Sequence, residues 1–298
     1  MHRKQKWLKS LSGWWWMTPA VALVGVFVYY PVLQNFQLSL YRWNAFSRAP
    51  RYVGLDNYQT MVADPVFWTA LVNNVGYAVV SLIFQVFGSL VLAAMLEEFV
   101  HAKLAGVLRA LYFIPAVISI TVSGILFSFI YNPEFGLLNQ LLQAVGLGGL
   151  THAWLGEQST AMGSIIAMSQ WQSFGYTTVL FIVAIQRIPR ELFESARVDG
   201  AGRIRTFASI TLPLVREMTT LLIIITVSGA FLVFNEVMVM TAGGPARSTH
   251  VLGTWLYFNA FLADDMGYAS AIASFIFVIT LALAIAQLTY NNRKKVEW

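Results

Sequence analysis

Long apolar runs separated by short polar stretches organise this chain. A hydrocarbon core about 30 Å thick takes roughly 20 apolar residues of helix. Six segments reach that length: Pro19–Leu40, Trp68–Leu96, Leu104–Tyr131, Met162–Ile185, Leu214–Met240 and Tyr268–Tyr290. Inside them periodicity is uninformative, because both the buried and the lipid-facing sides of such helices are apolar. Length therefore decides the fold class: an all-α, polytopic membrane protein with six transmembrane helices. Composition agrees, since 57% of the 298 residues are hydrophobic and 11% are charged, against about 25% charged in soluble domains.

Six spans put both termini on the same side, and lysine and arginine decide which side that is. The N-terminus carries Arg3, Lys4, Lys6 and Lys9, the second loop Lys103 and Arg109, and the C-terminus Arg293, Lys294 and Lys295. The fourth loop carries Arg187, Arg190, Arg197, Arg203, Arg205 and Arg216. The opposite set holds only Arg42, Arg48, Arg51 and Arg247. Both termini and the fourth loop are expected in the cytoplasm. Residues 1–18 then form a cytoplasmic N-terminal segment, 19–290 the membrane domain with a cytoplasmic loop at 187–213, and 291–298 a cytoplasmic tail. This topology also explains the net charge of +5, so no nucleic-acid partner is expected. No small-residue cleavage site stands near Tyr29-Tyr30-Pro31, and the first segment reads as a retained helix, kinked or relaxed at Pro31. Trp14, Trp15 and Trp16 sit where an interfacial aromatic belt belongs.

The chemistry is sparse. The absence of cysteine excludes disulfide frameworks, thiolate metal sites and cysteine nucleophiles. His2, His101, His152 and His250 fall in four different polar segments without a ligand pair at helical spacing, so no metal site is expected. No G-x-x-x-x-G-K-[ST] phosphate loop occurs, no Ser/His/Asp set lies at one depth, and no catalytic residue is assigned. Glu236, near the outer end of the fifth span, is the clear ionisable candidate inside the membrane. An ion-coupled secondary transporter, the alternative from another class, predicts midplane acids and inverted repeats, and neither is evident. The chain shows no energy source of its own, so energy must come from elsewhere or not be needed.

The fourth loop, Ile188 to Pro213, is the least membrane-like segment after the N-terminus. Pro189 suits a first helical turn, and Arg190–Val198 reads as a short helix with Leu192, Phe193 and Ala196 toward one side. Gly200 suits the left-handed residue that ends a helix. A second amphipathic stretch through Ile204, Phe207, Ala208 and Ile210 leads to Leu212-Pro213 and back into the membrane. Such a helix either docks in a groove of a partner or lies on the lipid surface.

Glu194-Ser195-Ala196, Asp199-Gly200-Ala201, Phe207 and Ile210-Thr211-Leu212-Pro213 resemble the EAA loop of permease subunits of binding-protein-dependent ABC importers. The chain is similar in particular to sugar permeases of the maltose and glycerol-3-phosphate type. Val53-Gly54-Leu55-Asp56-Asn57-Tyr58, Ile114-Pro115 at the start of the third core helix, and Gly136-Leu137-Leu138-Asn139 resemble further family segments. So do Thr241-Ala242-Gly243-Gly244-Pro245 and Gly267-Tyr268-Ala269-Ser270-Ala271, all in the family's order. Ser195 stands where the family commonly has alanine.

The resemblance implies a second permease subunit, two ATPase subunits that bind ATP and Mg, and an extracellular or periplasmic solute-binding protein. It implies a multi-pass subunit of the bacterial or archaeal cytoplasmic (inner) membrane, with no cofactor of its own. Glu194, Ser195, Ala196, Arg197, Asp199 and Gly200 would couple to the ATPase. Sugars need hydroxyls and aromatic faces, and the spans offer Trp171, Gln172, Ser173 and Tyr176 in the fourth, Ser119, Thr121 and Ser123 in the third, and Thr226 and Ser228 in the fifth. The bland reading of these residues is backbone bonding and helix packing. Tyr176 falls where a sugar-contacting tyrosine of the maltose system lies, whereas Ala230 and Val233 replace that system's asparagines. Asn235, Glu236, Gly243 and Gly244 are candidates for a gate or for outer-face docking, beside the plainer reading of a turn. With Arg109 counted to the second loop and Arg216 to the fourth, no arginine lies within a span, which favours a neutral sugar over glycerol 3-phosphate or another small polar solute.

Overall fold

The computed structural model describes residues 16–44, 46, 49–99 and 102–292. The basic residues at both termini, Arg48, His2, His101, Trp14 and Trp15 lie outside the described residues. The chain divides into two compact units, Met1–Ala63 with Leu256–Phe275, and Asp64–Trp255 with Ile276–Trp298.

In the first unit, α1 (Trp16–Leu38) runs as one helix of 23 residues. A wide π turn over Gly25–Tyr29 precedes Pro31, and Tyr30 N–H donates to Gly25 O. The helix thus relaxes just before the proline, whose ring would otherwise meet the preceding turn. A two-stranded ribbon follows, with β1 (Tyr41–Arg42) antiparallel to β2 (Arg51–Tyr52). Gly54 takes φ +61°, and α2 (Asp56–Ala63) begins two residues later. Asn57 is buried and donates to Ser39 O (2.8 Å) and Tyr41 O (3.0 Å). A Cβ on Gly267 would lie 2.1 Å from Tyr41 O. Two of the recognised motifs are therefore ties of the first unit to itself.

In the second unit, Asp64 caps α3 (Pro65–Glu98), accepting from Val66 N at 2.8 Å, and Pro65 opens the first turn. After α4 (Ala102–Val117) and α5 (Ile120–Ile130) come α6 (Leu137–Ala144), α7 (Ala161–Gln186) and α8 (Arg190–Val198). Then follow α9 (Arg203–Leu214), α10 (Arg216–Phe231) and α11 (Asn235–Met240), while α12 (Leu252–Tyr257) and α13 (Met266–Asn292) each have residues in both units. Two apolar cores form. Tyr77, Ile165, Met168, Val237 and Val251 centre one, and Val86, Leu90, Phe181, Val215 and Leu222 the other.

Helices lie over each of the six expected segments, but two of those segments are not single helices. The third segment is a pair of helices bent by 97° between Val117 and Ile120. Ile114-Pro115 closes α4 rather than opening a core helix, and Ser119 is the N-cap of α5. Pro115 lies inside the last turn of α4, where it has no N–H to give to the carbonyl of Leu111 and so favours ending the helix. The fifth segment bends by 70° between Leu214 and Arg216 and breaks again after Phe231, with α11 separate from α10. Among the described residues, three helices are long and apolar enough to cross a membrane, or up to five if each bent pair is one span. The 26-residue α7 is long enough but carries Gln170, Trp171, Gln172 and Ser173 along its middle.

Candidate functional site

The loop from Arg187 to Pro213 is built around one turn. α8 ends in a Schellman arrangement: Ala201 N donates to Ala196 O (2.9 Å) and Gly200 N to Arg197 O (3.1 Å). Gly200 takes φ +73°, the left-handed conformation this closure needs. Pro189 stands one residue earlier than expected, as the N-cap. Phe193, Phe207 and Ile210 pack on the second core, so one side of each short helix is anchored in the protein. Glu194, Ser195, Arg197, Asp199 and Gly200 are exposed and Ala196 is half-buried. Ser195 returns its hydroxyl to Glu191 O at 2.6 Å, so a serine here keeps the helix without needing an outside partner. Val198 and Ile204 bracket the turn with 87% and 86% of their surface exposed, an unusual placement for two aliphatic side chains. Leu192 faces a cavity of about 760 Å³ shared with Ile188, Ile210, Pro213 and Leu221.

The helix breaks are held by side chains that face freed backbone groups. Gln172 donates to Ile118 O at 2.6 Å, at the bend between α4 and α5. Asn74 donates to Ala230 O (2.6 Å) and accepts from Leu252 N (2.8 Å), beside the break after α10. A buried peptide group left without a partner costs about 1–3 kcal/mol, so each amide stabilises a bend that apolar packing alone would disfavour. Gln172 and Ser123 are both buried. Trp171, Tyr176, Ser119 and Thr121 are exposed, Ser173, Thr226 and Ser228 half-buried. Trp171 leans on Phe127 with ring centroids 5.1 Å apart, and Tyr176 is 50% exposed.

Asn74, Tyr77, Ser81, Gln85 and Ser89 form a polar stripe along α3 that the sequence reading passed over. Tyr77 Oη donates to Glu236 Oε1 at 2.7 Å, Gln170 Nε2 donates to Ser81 Oγ at 3.2 Å, and Ser89 Oγ donates to Phe174 O at 3.0 Å. The signal was present as spacing: polar residues at steps of three and four inside an apolar span lie on one helix face.

The outer-face candidates separate. Asn235 is exposed, but Glu236 is buried against Tyr77. A Cβ on Gly243 would lie 2.2 Å from the His250 ring, so this glycine admits a side chain of its own loop. Gly244 is half-buried. The segment before α7 is also closely packed: a Cβ on Gly136 would lie 2.3 Å from Asn132 O, and Asn139 accepts from Trp154 Nε1 at 2.7 Å. Glu157 is held below its usual value by the Ala153 amide and then by His152.

Burial, and then the Arg247 guanidinium, push the His250 imidazole down to about 4. The folded loop therefore favours the neutral ring. Below the ordinary value of 6.5 the unfolded ring takes up a proton that the folded one refuses, so this contribution is present above that pH and lost as pH falls toward 4. The melting temperature of the purified protein is expected to fall over that window, and His250→Gln to flatten the fall. An equal slope in both proteins contradicts the assignment.

Residues 85–296 match the family described as the binding-protein-dependent transport system inner membrane component. The chain belongs to this family. It is 52% identical over 281 residues to the probable ABC transporter permease protein YurN of Bacillus subtilis, covering 94% of this chain and 96% of that one. It is 32% identical over 292 residues to the trehalose/maltose transport system permease protein MalF of Thermococcus litoralis, covering 98% and 97%. The fold is that of the bacterial alginate ABC transporter crystallised with an alginate pentasaccharide-bound periplasmic protein. That structure superposes with a TM-score of 0.82 at 23% identity over 97% of this chain and 96% of that one. The resemblance read from the EAA-like loop is thereby upheld, and this permease is the membrane component of an importer rather than its hydrolase.

Proposed function

We propose that the chain forms half of the translocation pathway for a neutral mono- or oligosaccharide and couples it to a separate ATPase through the Glu194–Gly200 turn. A second permease would complete the pathway, two ATPase subunits would bind ATP and Mg beneath it, and a solute-binding protein would deliver sugar from outside. The observation that carries this reading is the exposure of Val198 and Ile204 on either side of a rigid turn. A helix resting on lipid turns its apolar face to the membrane. Here Phe193 is directed into the protein's own core, and the remaining aliphatic groups stand among Glu194 and Arg197, a mixed face suited to a protein groove. Sugar as the substrate draws on the family and on the trehalose/maltose relative. Tyr176 and Trp171 supply exposed rings for it, with Ser119 and Thr121 as hydroxyls on α5.

Both termini and the coupling loop would lie in the cytoplasm of a bacterial or archaeal cell, with six spans in the cytoplasmic membrane. A reporter active only outside the membrane is expected to be silent when fused after Trp298 and active when fused near Gly148; activity at Trp298 contradicts the topology. The functional test is ATP hydrolysis by the complex reconstituted with its ATPase and binding protein, in the presence of maltose, trehalose, lactose or glycerol 3-phosphate. Stimulation by a neutral sugar is expected. Stimulation by glycerol 3-phosphate alone moves the substrate to a phosphate ester, and hydrolysis by the isolated chain overturns the division of labour.

A further inference from the structure

The cytoplasmic end of α3 carries two adjacent carboxylates, Glu97 and Glu98. Acidic side chains at a helix C-terminus oppose the helix dipole, and neighbouring like charges add to that penalty. Helix stability therefore gives no account of them, and their contacts do. Glu97 Oε1 accepts from Arg109 Nη2 of α4. It also accepts from Gln186 Nε2 at 3.2 Å, with Glu97 Oε2 3.3 Å from the same nitrogen. Gln186 is the last residue of α7, directly before the coupling loop. Glu98 Oε1 lies 3.5 Å from Arg203 Nε, and Arg203 opens α9, the arm that leaves the Gly200 turn. One helix end thus reaches both flanks of the loop.

We propose that Glu97 and Glu98 act as a two-carboxylate clamp, positioning residues that fix the coupling loop to the second span so that movement of α8 is passed into the membrane helices. The loop's other anchors, Phe193, Phe207 and Ile210, are apolar, and apolar contact is non-directional and permits sliding. Charge-assisted hydrogen bonds fix direction as well as contact. The clamp rests on the coupling role proposed above for the Glu194–Gly200 turn.

The chain contains no cysteine, so a labelled pair is introduced without background. Spin labels at Glu191→Cys, an exposed position of α8 outside the Glu194–Gly200 turn, and Met95→Cys, on an exposed face of α3, report the loop's position in the full complex with its ATPase, before and after addition of ATP, Mg and vanadate. With native Glu97 and Glu98, the pair is expected to give a narrow distance distribution that shifts on nucleotide trapping. In Glu97→Gln with Glu98→Gln the distribution broadens, and the trapped-to-resting ratio falls at least about fivefold, the lower end of coupling between sites. Exchanging the charges, Glu98→Arg with Arg203→Glu, restores a narrow distribution that neither single change gives. Should the double glutamine variant fail to insert, Arg203→Gln, on an exposed residue, supplies the same comparison. Glutamine variants that shift as fully as the native pair overturn the clamp, as does a charge exchange no better than its single changes. Absence of any shift in the native pair instead overturns the coupling role on which the clamp rests.

Discussion

Gly175→Ala is expected to disrupt the fold more than any other single methyl group added to this chain's helices. The added Cβ would stand 1.7 Å from Tyr112 O and 2.4 Å from its carbonyl carbon, so the obstacle is backbone and no rotamer change relieves it. α4 and α7 must separate by more than an ångström along a crossing where Tyr112 and Phe174 also meet edge to face, with centroids 6.5 Å apart. Small residues bring transmembrane helices into this kind of contact. Forced overpacking costs about 1–3 kcal/mol and occasionally more, and a backbone overlap belongs at the upper end. Gly163 lies in the same helix, and there a Cβ meets nothing within 4 Å. Gly163→Ala is expected to be neutral or to stabilise by about 0.5–1 kcal/mol. Thermal unfolding of the two variants in detergent makes the comparison: a Gly175→Ala protein that melts with Gly163→Ala would show that the two helices do not cross this closely.

The contrast between these glycines explains what the sequence could and could not tell. Apolar length marks long helical segments regardless of partners, so helices lie over all six expected segments. α8 was legible over Arg190–Val198 because its start, its apolar side and its Gly200 stop are all local. The bends were not. Nothing in Ile118-Ser119 or in Leu232-Val233-Phe234 forbids a continuous helix, and their freed carbonyls are satisfied by Gln172 and Asn74, 54 and 156 residues away. The physical reasons for the recognised motifs required coordinates. Gly243 accommodates His250 and Gly267 accommodates Tyr41 O, approaches that no local pattern encodes. Glu236 is a related case: its partner Tyr77 stands 159 residues away, and no local pattern shows that contact.

Gly200→Val is expected to cut coupling about 5- to 30-fold while leaving the membrane helices intact. A Cβ on Gly200 meets nothing within 4 Å, so no packing is lost and the cost lies entirely in the backbone. At φ +73° an L-residue is disfavoured by about 1–2 kcal/mol, and a β-branched one by more. If the turn opens to relieve this, the bonds from Ala201 N and Gly200 N to the end of α8 are lost and the helix changes direction. A docking-competent loop made rarer by about 1–2 kcal/mol is depleted roughly 5- to 30-fold. Transport should fall by that factor, with the ATPase released from the membrane or hydrolysing without response to solute. Tyr176→Ala is the comparison, expected to weaken the dependence on solute while the ATPase stays attached. Gly200→Asn decides the cause, because asparagine also adopts the left-handed conformation at helix ends and should retain most transport. Equal loss in the valine and asparagine variants would mean that the turn is needed for close approach by a partner, not for its backbone conformation. Full transport by Gly200→Val with its ATPase bound would remove the coupling role from this loop.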